Sequence, residues 1–120
     1  MRYLAALIVL VTSLPLGADP WTDKEKFDAK ALVTLTGTIT KVEWTNPRVR
    51  VTLNVSDSLW VLDGYPPKTL ERTGFPQSNL TQGDQITIIA YKAKDGSSTA
   101  LGNAVTFKDG STKRFGPTVN

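Results

Sequence analysis

The sequence predicts an all-β domain with one short helix: a five-stranded Greek-key barrel whose helix lies between strands three and four. Three observations carry this. Stretches rich in Val, Thr, Ile and Leu recur between turn signals from Leu32 to Phe107, and β-branched residues suit a pleated surface. A single segment, Tyr65 to Gln77 (YPPKTLERTGFPQ), interrupts them with helix-compatible residues. The first strand-like stretch is long and carries Gly37 in its middle, as a strand must if it is to bend and pair with different neighbours along its length.

The chain opens with Met1-Arg2-Tyr3, an almost wholly apolar run from Leu4 to Leu16, and small residues at Gly17 and Ala18. That order is a secretory signal peptide over residues 1–18, with cleavage after Ala18. The apolar run is too short for a hydrocarbon core of about 30 Å, and Thr12, Ser13 and Pro15 break it, so no membrane span is expected in the mature form. The expected location is periplasmic or secreted. The absence of cysteine excludes a lipidated cysteine and a disulfide framework. Before Asp19 the only charged residue is Arg2, so the mature chain sets 13 Lys and Arg against 11 Asp and Glu, net +2. So mild a charge argues against nucleic acid as the partner.

Residues 19–30 (DPWTDKEKFDAK) are polar and charged and form an N-terminal arm, with one helical turn at Thr22–Phe27 and with Trp21 and Phe27 pinning it. The domain proper is expected over residues 31–116. In its first strand Val33, Leu35 and Ile39 share a face, whereas Val42 and Trp44 fall on the opposite parity. Both sets reach the core only if a bulge intervenes, at Gly37 or at Thr40–Lys41. Thr45-Asn46-Pro47 ends the strand, since proline keeps Asn46 extended and cannot donate to a ladder. Val49, Val51, Leu53 and Val55 then alternate with Arg48, Arg50, Thr52 and Asn54, the pattern of a half-buried second strand. Ser56-Asp57-Ser58 turns into a third strand at Leu59–Leu62, which Asp63-Gly64 ends.

Pro67 suits the first turn of a helix, and Gly74 followed by Pro76 stops it. Leu70 is expected to face the core, with Phe75 just beyond. Gln85–Tyr91 forms the fourth strand, Lys94-Asp95-Gly96 a hairpin turn and Ala100–Phe107 the fifth strand. Asp109-Gly110 leads into a weak last segment, Thr112–Phe115, and residues 117–120 are expected to be a loose tail. Three strands, a helix and two strands is the order of the oligonucleotide/oligosaccharide-binding (OB) barrel.

The run Leu35-Thr36-Gly37-Thr38-Ile39-Thr40-Lys41-Val42-Glu43-Trp44-Thr45-Asn46-Pro47, preceded by Phe27-Asp28-Ala29-Lys30, resembles a family of small exported bacterial proteins of unknown function marked by a G-T-V-x-x-x-E-W-x-N-P-H pattern. The resemblance continues through Trp60, Leu70, Gly74, Leu80–Asp84, Lys94-Asp95-Gly96 and Asp109-Gly110. It implies a bacterial periplasmic or secreted setting and no particular activity. Arg48 stands where that pattern has histidine, and the chain has no histidine at all.

That composition narrows the chemistry. Without His or Cys, a soft or borderline metal site and the His-based nucleophile systems are excluded, and neither cofactor nor catalysis is expected. Asp57 and Asp63 read as turn residues, and Glu43 as a partner for Arg48 or Arg50 across the hairpin. A binding or accessory role remains. In an OB barrel the ligand lies on strands two and three, between the loops joining strands one and two and strands four and five. The candidate ligand-binding residues are therefore Glu43, Trp44, Asn46, Arg48 and Arg50 at one lip, Lys92 and Lys94 at the other, and Trp60 between. Trp44 and Trp60 also read as core anchors. The expected partner is an anionic small ligand or another protein, with assembly through a strand edge or apolar patch as the alternative.

Overall fold

The computed structural model describes residues 26–119. It is mostly β, with six strands and one short helix: β1 (Phe27–Glu43), β2 (Arg50–Val55), β3 (Ser58–Asp63), α1 (Pro67–Arg72), β4 (Gln85–Ala93), β5 (Thr99–Thr106) and β6 (Thr112–Arg114). A 3-10 turn, Gln77–Asn79, links α1 to β4. The expected signal peptide, Trp21 and the arm as far as residue 25 lie outside the described residues, and with them nearly all of the helical turn expected at Thr22–Phe27. The end of the expected arm is strand: Phe27 opens β1 and pairs with Ala93.

The strands form one sheet in the order β3-β2-β1-β4-β5-β6. Neighbours in that order are antiparallel, and β3 additionally runs parallel to β5 through Val61–Thr99, Leu62–Ala100 and Asp63–Leu101. There are six strands rather than five, because the weak last segment forms β6 against the end of β5.

The long first strand divides as its sequence demands. Phe27–Thr38 pairs with β4, and Thr38–Glu43 pairs with β2. Between Ile39 and Lys41 the β1–β2 register slips by one residue, so Thr40 is the bulge. Leu35 and Ile39 are buried, and beyond the bulge Val42 and Trp44 also pack against the same core. One extra residue thus reconciles two apolar sets of opposite parity. The Thr40 hydroxyl donates to the carbonyl of Thr52 at 3.3 Å, a bond across to the partner strand at the irregular step. Gly37 sits against the end of β2, and a Cβ there would run into the carbonyl oxygen of Asn54.

Val49, Val51, Leu53, Leu62, Ile88, Ala90, Ala100 and Val105 are fully buried on the inner faces. Leu70 of α1 and Phe75 beyond it enter the same core, so the short helix serves as a cap carrying one large apolar anchor. Burying a side chain of this size contributes roughly 1.5–3 kcal/mol. Phe115 is the other anchor, tilted against Phe75 with ring centroids 5.8 Å apart. Its ring occupies the space that side chains at Gly64 and Gly102 would need.

Residues 115–119 make defined contacts with the body of the domain. Phe115 donates its amide to Asn103 and accepts from the Tyr65 amide, each at 2.8 Å. Asn103 Nδ2 reaches the Pro117 carbonyl at 3.2 Å. Val119 then packs on an outer cluster of Phe27, Tyr91, Ala93 and Leu101. An apolar patch on the outer side of the sheet needed a cover, and the tail supplies it.

Candidate functional site: the lip between β1 and β2

The loop from Trp44 to Val49 is held at its far end by two backbone bonds: Val49 donates to Tyr65 at 3.0 Å, and Gly64 donates to Val49 at 2.8 Å. Its turn contains a cis Asn46-Pro47 peptide. A cavity of about 160 Å³ opens there, lined by Glu43, Thr45, Asn46, Pro47, Arg48 and Arg50. Four of the eight candidate residues therefore share one cavity wall. Trp44, Trp60, Lys92 and Lys94 do not line it.

The electrostatic centre of the lip is Asp63. It is only 8% exposed, ends β3 directly opposite Arg50, and accepts from Arg50 Nε at 2.7 Å. Arg48 Nη1 lies 3.9 Å from its second oxygen. Reading Asp63 as a turn residue and Glu43 as the arginines' partner is thereby corrected. Glu43 instead approaches Lys41 on its own strand, at 4.0 Å, and acts on Arg50 only through space. The physical reason is register: Asp63 faces Arg50 on the side of the sheet opposite the core, where its sequence position beside a glycine suggested only a turn. The hydrogen bond and charge of Asp63 raise the pKa of Arg50, with Glu43 adding to them and burial and Arg48 opposing. Arg48 is nearly enclosed, at 13% side-chain exposure, while Arg50 keeps 45%. Asp63 takes one of the five donors of the Arg50 guanidinium, so the fork is oriented but not used up.

The two tryptophans are half-buried, each packed on the core. Trp44 Nε1 donates to Glu71 Oε2 at 3.3 Å, which ties the lip to α1. Trp60 stands across from Leu53 on the core side of β3. Lys92 pairs with Ala100 in the β4–β5 ladder, and Lys94 is exposed in the following turn, its amide bound to the Lys26 carbonyl at 2.8 Å.

The sequence reading missed a larger opening. A cleft of about 490 Å³ is walled by Thr38, the Gly83–Ile86 segment and Phe107–Asp109. Smaller clefts of about 110 and 240 Å³ adjoin it, and all three share Phe107. Its residues are individually ordinary and come from three distant segments; the turn at Asp109-Gly110 and the Leu80–Asp84 stretch touch it, but neither marks it as a site.

Among the described residues no three His, Cys, Asp or Glu side chains stand close enough to hold a metal ion, and no helix is long and apolar enough to cross a membrane. The chain matches, over residues 11–103, the model described as "Family of unknown function (DUF6152)". No curated protein matches it.

Proposed function

The chain belongs to the DUF6152 family of unknown function, and we propose that it is an exported, non-catalytic binding or accessory module of OB-like build that holds a small anionic ligand at the β1–β2 lip. The OB-like reading draws support from the strand order together with the parallel contact of β3 with β5, which joins the two ends of a five-strand circuit, and from α1 lying between β3 and β4 with Leu70 in the core.

The observation that carries the binding reading is Arg50, a half-exposed guanidinium held in place by a buried carboxylate beside a cavity. Fixing an arginine beforehand lowers the ordering cost that a ligand otherwise meets on binding. The lip is charge-balanced, with Arg48 and Arg50 against Asp63 and Glu43, so selectivity rests on geometry more than on bulk attraction.

The test is a titration with a uronic-acid oligosaccharide, ATP and glycerol phosphate, followed by tryptophan fluorescence, since Trp44 adjoins the lip. A saturable, salt-sensitive response that Arg50→Ala abolishes is expected. Silence with all three probes, or a response that Arg50→Ala leaves intact, removes the anionic-ligand reading. Assembly through an apolar patch is the second reading; Leu32 and Leu59, 53% and 58% exposed, favour it. Sedimentation of Leu32→Ser and Leu59→Ser against the parent protein decides it, and a monomer in every case removes it.

A further inference from the structure

The three clefts that share Phe107 form a groove whose chemistry differs from that of the lip. Beside it runs a row of four threonines in register across four strands, Thr36 opposite Thr87, Thr87 opposite Thr106, and Thr106 opposite Thr112; the first three line the smallest of the clefts together with Gln85, Phe107 and Lys108. The hydroxyls pair, Thr36 with Thr87 at 2.9 Å and Thr106 with Thr112 at 3.0 Å. In each pair one hydroxyl donates, so the other keeps its own hydrogen and both keep lone pairs for an outside partner.

The row is bordered by groups that both donate and accept. Gln85 is exposed and lines two of the clefts, as does Lys108, while Asp84 and Asp109 line the largest. The Asp109 carboxylate accepts from the Ser111 hydroxyl at 2.6 Å and its amide at 2.8 Å, which hold it ionised to lower pH than an ordinary carboxylate. Lys113 is already engaged, by the Gly74 carbonyl at 2.7 Å and Asn79 Oδ1 at 2.9 Å. Asp84 and Asp109 balance Lys108 and Lys113, so the clefts carry no net charge to draw an anion. A cation alone leaves the hydroxyl row unused. Phe107, half-buried between the clefts and braced 5.7 Å from Phe75, offers a fixed apolar surface in the middle.

Alternating hydroxyl, amide and carboxylate groups around an aromatic ring suit a ligand that presents many neutral hydroxyls beside C–H faces. We propose that this groove binds a neutral oligosaccharide, with Phe107 against a sugar ring and Thr36, Thr87, Gln85 and Asp109 on its hydroxyls. This site is separate from the lip and does not depend on the anionic-ligand reading.

The test is amide chemical-shift mapping of the protein with maltohexaose, cellohexaose and chitohexaose. At least one is expected to move the amides of Thr36, Thr87 and Phe107–Asp109. Thr36→Val with Thr87→Val removes both partners of one hydroxyl pair at constant shape, a change close to neutral for folding. It is expected to weaken binding by about tenfold, and Gln85→Ala, at an exposed position, to weaken it measurably by itself. No movement with any of the three sugars at millimolar concentration, movement confined to Thr45–Arg50, or unchanged affinity in both variants overturns the proposal.

Discussion

The lip between β1 and β2 and the groove around Phe107 are built on opposite plans. At the lip, residues with distinctive chemistry crowd into a short stretch, yet the fold turns much of that chemistry inward. Asp63 engages both arginines, Glu71 takes the Trp44 N–H, and a cavity of about 160 Å³ remains. In the groove no residue is distinctive, yet three segments converge on a cleft of about 490 Å³, and the threonine row lines a smaller cleft beside it. Chemical density along a chain marks where a fold is pinned. Open space arises where segments far apart in sequence meet.

Asp63→Ala should separate the two regions most sharply. It leaves two guanidinium groups without the carboxylate that faces them, and breaking a buried pair by removing one partner costs about 3–5 kcal/mol. The exposure of Arg50 places the expected loss near about 3 kcal/mol, read as a lowered urea midpoint; a loss below about 1 kcal/mol would show that Asp63 does not organise the lip. Gly37→Ala comes next. The added methyl meets the Asn54 carbonyl at the end of β2, and overpacking of this kind costs about 1–3 kcal/mol. A neutral result in the same denaturation experiment would mean that this contact relaxes freely.

Arg50→Ala should cost only about 1 kcal/mol, since its pair with Asp63 is half in solvent, while removing the response to anions. A larger stability loss without loss of binding would reverse the role assigned to it. On the groove side, Thr36→Val with Thr87→Val should change stability by no more than about 0.5 kcal/mol, as surface changes usually do.

The smallest effect is one of pH. Asp95 and Asp109 have carboxylate pKa values lowered by the hydroxyl and amide of Ser97 and Ser111, respectively. A lowered folded-state pKa stabilises above the unfolded value, and that contribution is lost as pH falls through the folded one. Once exchange is corrected for its intrinsic pH dependence, the Ser97 and Ser111 amides should lose protection below the ordinary carboxylate range. Equal protection above and below that range would contradict the assignment.

How legible this was from the chain follows the same division. The mostly β character, the turns and the helix at Pro67–Arg72 could be read because each depends on local periodicity, Pro or Gly. The bulge was legible too: Ile39 and Val42 cannot both face inward without it, and Thr40 was one of the places named. Asp63 was misread because its partners depend on the register of β2 against β3, which no single stretch encodes. The docking of the tail was hidden for a related reason: Phe115 fits only because Gly64 and Gly102, distant in sequence, leave it room. The groove was missed because ordinary threonines form a row only once four strands are paired.

The most direct test of the division between lip and groove is a pair of amide chemical-shift titrations on one sample, first with glycerol phosphate and then with a neutral hexasaccharide. Glycerol phosphate is expected to move Thr45, Asn46, Arg48 and Arg50 and leave Phe107–Asp109 still, and the sugar to do the reverse. Both probes moving the same set of amides, or the anion moving the groove alone, would contradict the account.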